Sequence, residues 1–154
     1  MNCKLAVTAL LALTLAAGGV AASEPRFLKK VVVKPGLVAV VAEGDFEARS
    51  IGSYSVRAYW NQEAKVGDDT TFFTAGVLRP RDGTIESASM IPTDAGNESW
   101  LVIVVRSSGS GGYLSADAFS ISEHSVALRA SVSGLRADAD PVAALERTAR
   151  RGGS

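Results

Sequence analysis

Between residues 28 and 132 the chain is a succession of short apolar or alternating runs separated by turn signatures, and this punctuation restricts it to folds built from many short strands. Leu28–Val33 and Leu37–Ala42 are β-branched runs parted by Lys34-Pro35-Gly36. Ser53–Trp60 alternates, with Tyr54, Val56, Ala58 and Trp60 on one face and Ser53, Ser55, Arg57 and Tyr59 on the other. Thr70–Leu78, closed by Pro80-Arg81-Asp82-Gly83, is followed by Thr84–Ile91 as its partner. Trp100–Val105 is continuously apolar, the mark of a buried strand. Tyr113–Ser122 and Ser125–Val132 flank a tight connection at Glu123-His124. Pro141–Arg151 is the one convincing helix: Asp140 caps it, Pro141 sits in its first turn, and Arg147, Arg150 and Arg151 suit its C-terminal end. The pattern predicts an all-β fold, an antiparallel β-sandwich or meander of about 7–8 strands with one short C-terminal helix.

The N-terminus reads as an address. Lys4 supplies a positive n-region, Leu5–Ala17 an apolar run, Gly18-Gly19 a helix break, and Val20-Ala21-Ala22 the small residues before a cut at Ser23. Residues 1–22 are therefore expected to be a cleaved signal peptide. The competing reading is an uncleaved anchor, for which the uncharged stretch Leu5–Ser23 is borderline in length. Cys3 lies upstream of the apolar run, which is not the arrangement of a lipoprotein signal. The expected mature chain, residues 23–154, is a single domain without cysteine that folds on its hydrophobic core alone and has no membrane attachment. Sixteen basic and sixteen acidic residues leave a formal net charge of zero, without the basic excess of a nucleic-acid binder. One cysteine and one histidine leave no Cys-based zinc site and no imidazole cluster, so no metal or cofactor is expected.

Three constellations carry possible chemistry. A hydrolase triad would need Ser110, His124 and Asp117 or Asp82, but His124 falls in a hairpin turn and Gly109-Ser110-Gly111 is not a nucleophile elbow. Asp94-Ala95-Gly96-Asn97-Glu98 faintly suggests a calcium loop, yet its oxygens lack the alternate spacing, and a solvated turn is the better reading. Asn97-Glu98-Ser99 also fits a glycosylation acceptor, which matters only in a eukaryotic host. The third is Arg106-Ser107-Ser108-Gly109-Ser110-Gly111-Gly112-Tyr113, a glycine- and serine-rich loop between two apolar strands. Glycine makes such a loop narrow enough to approach another surface, and a tyrosine at its end is a rigid aromatic with a polar tip. On physical grounds alone the alternative stays open that this is a flexible turn whose tyrosine folds back onto the sheet.

Ser110-Gly111-Gly112-Tyr113 fits the Ser-Gly-x-Tyr motif of lysozyme inhibitors, and Val104–Phe119 around it resembles the central block of the bacterial periplasmic inhibitors of invertebrate-type (i-type) lysozyme. Arg49–Arg57, Asp69–Phe73, Ala75–Val77 and Arg81–Gly83 extend the similarity over about residues 43–120. The resemblance implies an exported β-sandwich, a homodimer in the periplasm, no enzymatic activity of its own, and an i-type lysozyme of an animal host or competitor as partner. It implies that Ser110 and Tyr113 enter the lysozyme cleft, that Gly109, Gly111 and Gly112 shape the loop, and that Arg106 and Ser108 add polar contacts. The remaining alternative is another exported β-rich module that uses the same loop on a carbohydrate or envelope protein. Trp60 and Trp100 are expected in the core or a dimer interface.

Overall fold

The computed structural model describes residues 25–61, 71–93 and 98–152. The segment expected to be a signal peptide and the Asp94–Asn97 part of the acidic turn lie outside the described residues. The strands are β1 (Leu28–Lys34), β2 (Leu37–Glu43), β3 (Ile51–Asn61), β4 (Thr71–Asp82), β5 (Thr84–Pro92), β6 (Ser99–Arg106), β7 (Leu114–Ile121) and β8 (Val126–Leu135), followed by helix α1 (Pro141–Gly152). β1–β4 form one four-stranded antiparallel meander and β5–β8 a second, each in chain order. The all-β reading with a terminal helix is what the chain adopts.

Alternation explains how the two sheets meet. Val31, Ala39, Val41, Tyr54 and Val56 of the first sheet pack against Ile85, Ala88, Leu101, Ile103, Val105 and Phe119 of the second. β6 is buried on both faces: Leu101, Ile103 and Val105 point to the first sheet, whereas Val102 packs with Ala116, Ala118, Ala130 and Leu145 of α1. A strand covered twice has no polar face to show, which is why Trp100–Val105 is apolar throughout. α1 covers the outside of the second sheet through Val142, Leu145 and Ala149, spaced for one helical face. Asp140 caps it, its carboxylate accepting from the amides of Val142 at 2.9 Å and Ala143 at 3.2 Å. Trp100 joins this helix-side core, while Trp60 packs over the Lys34-Pro35-Gly36 turn, with Lys34 Nζ 5.9 Å from its ring centre.

The structure departs from the sequence pattern at the passage between sheets: the expected pairing of Thr84–Ile91 with Thr70–Leu78 does not form, because β4 pairs with β3 and β5 pairs with β6 in the other sheet. β4 does not stop at Leu78 but runs through Pro80 to Asp82. Proline is tolerated there because β4 is an edge strand, paired only with β3, so one row of its backbone groups needs no ladder partner. The whole change of sheet is left to Gly83, at φ +118°. A side chain at Gly83 would overlap the Arg106 carbonyl, so glycine is required both for conformation and for space.

Arg81 holds this corner. It is 3% exposed, and its guanidinium donates to the carbonyls of Ala48 (3.1 Å), Arg49 (2.8 Å), Ser53 (3.1 Å) and Gly83. Glu47 lies 3.7 Å away, and hydrogen bonds from the Ser53 hydroxyl and amide, with help from Arg81, hold its carboxyl below the usual glutamate range. The rims of the sandwich are tied by polar groups as well. At one, buried Glu43 accepts from the amides of Phe27 (3.3 Å) and Ile85 (2.6 Å), linking β1 to β5. At the other, the Tyr54 hydroxyl donates to Asp117, which also receives Arg79 Nε at 3.3 Å. Burial, and then Asp117, push the Tyr54 hydroxyl far above its usual range, so it stays a donor.

Replacing Arg81 by methionine keeps the volume but removes the side-chain donor of the Ala48, Arg49 and Gly83 carbonyls, while Ser53 keeps the Gly44 amide. The expected loss is about 3 kcal/mol, read by urea unfolding of the purified protein.

Candidate functional site

The β6–β7 connection, residues 107–113, is a closed hairpin rather than a slack loop. Ser107 N–H donates to the Tyr113 carbonyl at 2.8 Å, and Gly112 N–H donates to the Gly109 carbonyl at 3.0 Å, which makes Gly109–Gly112 a four-residue turn with Ser110 and Gly111 at its tip. The Ser107 hydroxyl accepts from Gly109 N–H at 3.3 Å. Gly112 follows the turn at φ +54°, the left-handed conformation that relieves the twist of a short hairpin.

Both glycines of Ser110-Gly111-Gly112-Tyr113 then have a physical task. The Tyr113 ring lies against the α-carbon of Gly111, where any Cβ would run into the ring edge. Gly112 supplies the left-handed turn. Tyr113 itself is 53% exposed and stands outside β7, which begins at Leu114 rather than at Tyr113 as the sequence pattern suggested. The ring neither folds into the sheet nor swings free: it is propped by glycine on one side and open to solvent on the other. Ser110 and Ser108 are exposed, and the Ser110 hydroxyl has no hydrogen-bond partner among the described residues.

Arg106, the last residue of β6, supports the hairpin from its base. Its Nη1 donates to the Gly112 carbonyl at 3.1 Å, and its Nη2 pairs with Glu86 at 2.9 Å. Glu86 was not singled out in the sequence. The trace it leaves there is faint: Ile85-Glu86-Ser87-Ala88 sets two polar residues between two buried ones, the signature of a β-bulge. Beside the hairpin a recess of about 240 Å³ is lined by Asp82, Ser107, Tyr113, Ser115 and Ser133. It adjoins a second, of about 320 Å³, that reaches Arg79 and Asp117.

The triad residues are not brought together. Ser110 lies at the β6–β7 end and His124 in the β7–β8 turn, with the eight residues of β7 between them, about 25 Å of extended chain. Asp117 is engaged by Tyr54 and Arg79 in the middle of β7. Among the described residues no cluster of three His, Cys, Asp or Glu side chains is placed to hold a metal, and no helix is long and apolar enough to cross a membrane.

The fold and the hairpin together define a class: a small two-sheet β protein with an exposed aromatic on a braced turn. The comparisons make this specific. The pattern of the family described as periplasmic lysozyme inhibitor of I-type lysozyme matches residues 26–149, so the chain belongs to that family. It is similar to the crystal structure of the periplasmic inhibitor of I-type lysozyme from Aeromonas hydrophyla, with 36% identity, TM-score 0.69, and coverage of 77% of this chain and 98% of that one. It is also similar to Aeromonas hydrophila PliI in complex with Meretrix lusoria lysozyme, with 35% identity, TM-score 0.68, and coverage of 78% and 95%. A comparison with curated protein sequences gives no match.

Substituting Gly112 by alanine is expected to cost about 1 kcal/mol through its left-handed backbone, and by asparagine clearly less. Thermal unfolding of the two variants side by side checks this.

Proposed function

We propose that the protein is a periplasmic inhibitor of i-type lysozyme that acts by inserting the Ser110–Tyr113 hairpin into the enzyme's substrate cleft. Membership of the inhibitor family supports the activity, and the observation that carries the mechanism is Tyr113, half-exposed at the end of a hydrogen-bonded turn. Lysozymes cleave glycans with a pair of carboxyl groups facing a groove shaped for sugar rings. A narrow glycine hairpin fits such a groove, and the Tyr113 ring fills the space of a sugar face. The hydroxyls of Ser110 and Tyr113 then donate to the enzyme's carboxylates in place of sugar hydroxyls or water. Hydrogen bonds to charged acceptors are worth about 1.5–3 kcal/mol each, enough for two of them to dominate inhibition. Because the turn is already closed by its own hydrogen bonds, little conformational entropy is lost on docking. The chain reaches its compartment through the signal peptide at residues 1–22, and the mature domain begins at Ser23.

We assign the working assembly as a homodimer. The outer face of the first sheet exposes Leu28, Val32, Phe73 and Leu78, with Phe73 packed edge-on to Tyr59 at 5.9 Å, and no described element covers it. A second copy would cover this apolar face. Light scattering is expected to show a dimer that a Val32→Lys, Leu78→Lys variant reduces to monomer.

Replacing Ser110 and Tyr113 together by alanine is expected to weaken inhibition at least about 100-fold while leaving the melting temperature unchanged. The assay is lysis of a peptidoglycan suspension by an i-type lysozyme with purified inhibitor. Undiminished inhibition by the folded double variant would reject the insertion mechanism.

A further inference from the structure

The Arg106 guanidinium is committed on two sides. One nitrogen holds the Gly112 carbonyl, the peptide that joins the turn to Tyr113, and another meets Glu86 across the strand pair. Glu86 reaches it because β5 is bulged between Ile85 and Ser87, which leaves Glu86 outside the ladder while Thr84 pairs with Arg106. Bulges commonly redirect a side chain next to a functional site. The main chain of Arg106 is fixed independently, because Gly83 at the sheet-to-sheet corner packs on its carbonyl. A side chain anchored at both ends on a strand anchored by the corner is a support, not a free contact group.

We propose that Glu86 and Arg106 are positioning residues, a brace that keeps the hairpin in its docking shape before lysozyme arrives. This rests on the reading of the hairpin as the inhibitory element. Arg106 fixes the peptide on which the Tyr113 ring is mounted, and Glu86 fixes the rotamer of Arg106. A lysine at 106 keeps the charge but has one compact ammonium in place of a fork, so it cannot span both acceptors. A glutamine at 86 keeps an acceptor oxygen but loses the charge that strengthens the pair.

The test uses the mature protein carrying Arg106→Lys or Glu86→Gln, with two readouts. Amide hydrogen exchange in the free inhibitor is expected to quicken at Ser107 and Gly112 in both variants, with unchanged protection in β2 and β3. Calorimetric binding to an i-type lysozyme is expected to weaken about tenfold for Arg106→Lys and less for Glu86→Gln. In a Tyr113→Ala background the Arg106→Lys penalty is expected to shrink to twofold or less, because the brace has nothing left to position. Unchanged exchange at the hairpin overturns the proposal. So does a tenfold penalty that persists without Tyr113, which would make Arg106 a direct lysozyme contact. If Tyr113→Ala itself binds as tightly as the wild type, the insertion reading has failed, while the exchange experiment still reports on the brace.

Discussion

The guanidinium of Arg81 is the interaction on which the rest of the molecule depends. Two four-stranded meanders have to be joined face to face, and the chain makes the passage in a single residue, Gly83. The corner turns the Gly83 carbonyl inward, beside the carbonyls of Ala48 and Arg49 in the loop before β3. One buried arginine answers them, drawing together the loop before β3, the start of β3 and the corner itself. Burying a charge is costly unless its donors are met, and here the corner supplies the acceptors and the arginine the donors. Each needs the other.

The β6–β7 hairpin inherits this order. Gly83 rests on the Arg106 carbonyl at the base of the hairpin, and β5, which starts at the same corner, carries Glu86 on its bulge. The β6–β7 hairpin is therefore stiffened from beneath by the same residues that let the two sheets face each other. Tyr113 can stay half-exposed without being slack, since its ring sits on Gly111 and its peptide is held by Arg106. A rigid aromatic on a closed turn loses little freedom on docking, which is what the proposed insertion into a lysozyme cleft requires.

Much of the fold was legible in the residues. The alternation of Ser53–Trp60 identified the inward row Tyr54, Val56 and Ala58, because β3 has one dry face and one wet face. The unbroken apolar run of β6 identified a strand covered twice, and Asp140-Pro141 marked the start of α1. The end of β4 is hidden in the sequence because Pro80 reads as a breaker unless the strand is known to lie at an edge. Tyr113 was placed in β7 for a similar reason: an aromatic beside an apolar run looks like strand, and only the turn geometry shows that it stands outside. The Ser-Gly-x-Tyr motif marks the hairpin proposed as the site, but Glu86 is invisible there as a partner of Arg106, since a bulge leaves only a brief break in alternation.

What the sequence determined by itself was everything set by local chemistry: which residues alternate, where glycine and proline interrupt, where a helix is capped, and that a glycine-rich turn ends in tyrosine. Those properties depend on neighbours a few positions away and are written in the order of the letters. Only the tertiary structure decided that Arg81 lies buried at a corner, that Gly83 backs onto Arg106, and that Glu86, Arg106 and Gly112 form one support. These contacts join residues far apart in the chain, through register and packing. A shift of register by one residue would turn Glu86 away from Arg106, and the brief break in alternation at Ile85–Ala88 does not name Arg106 as the partner across the strand pair.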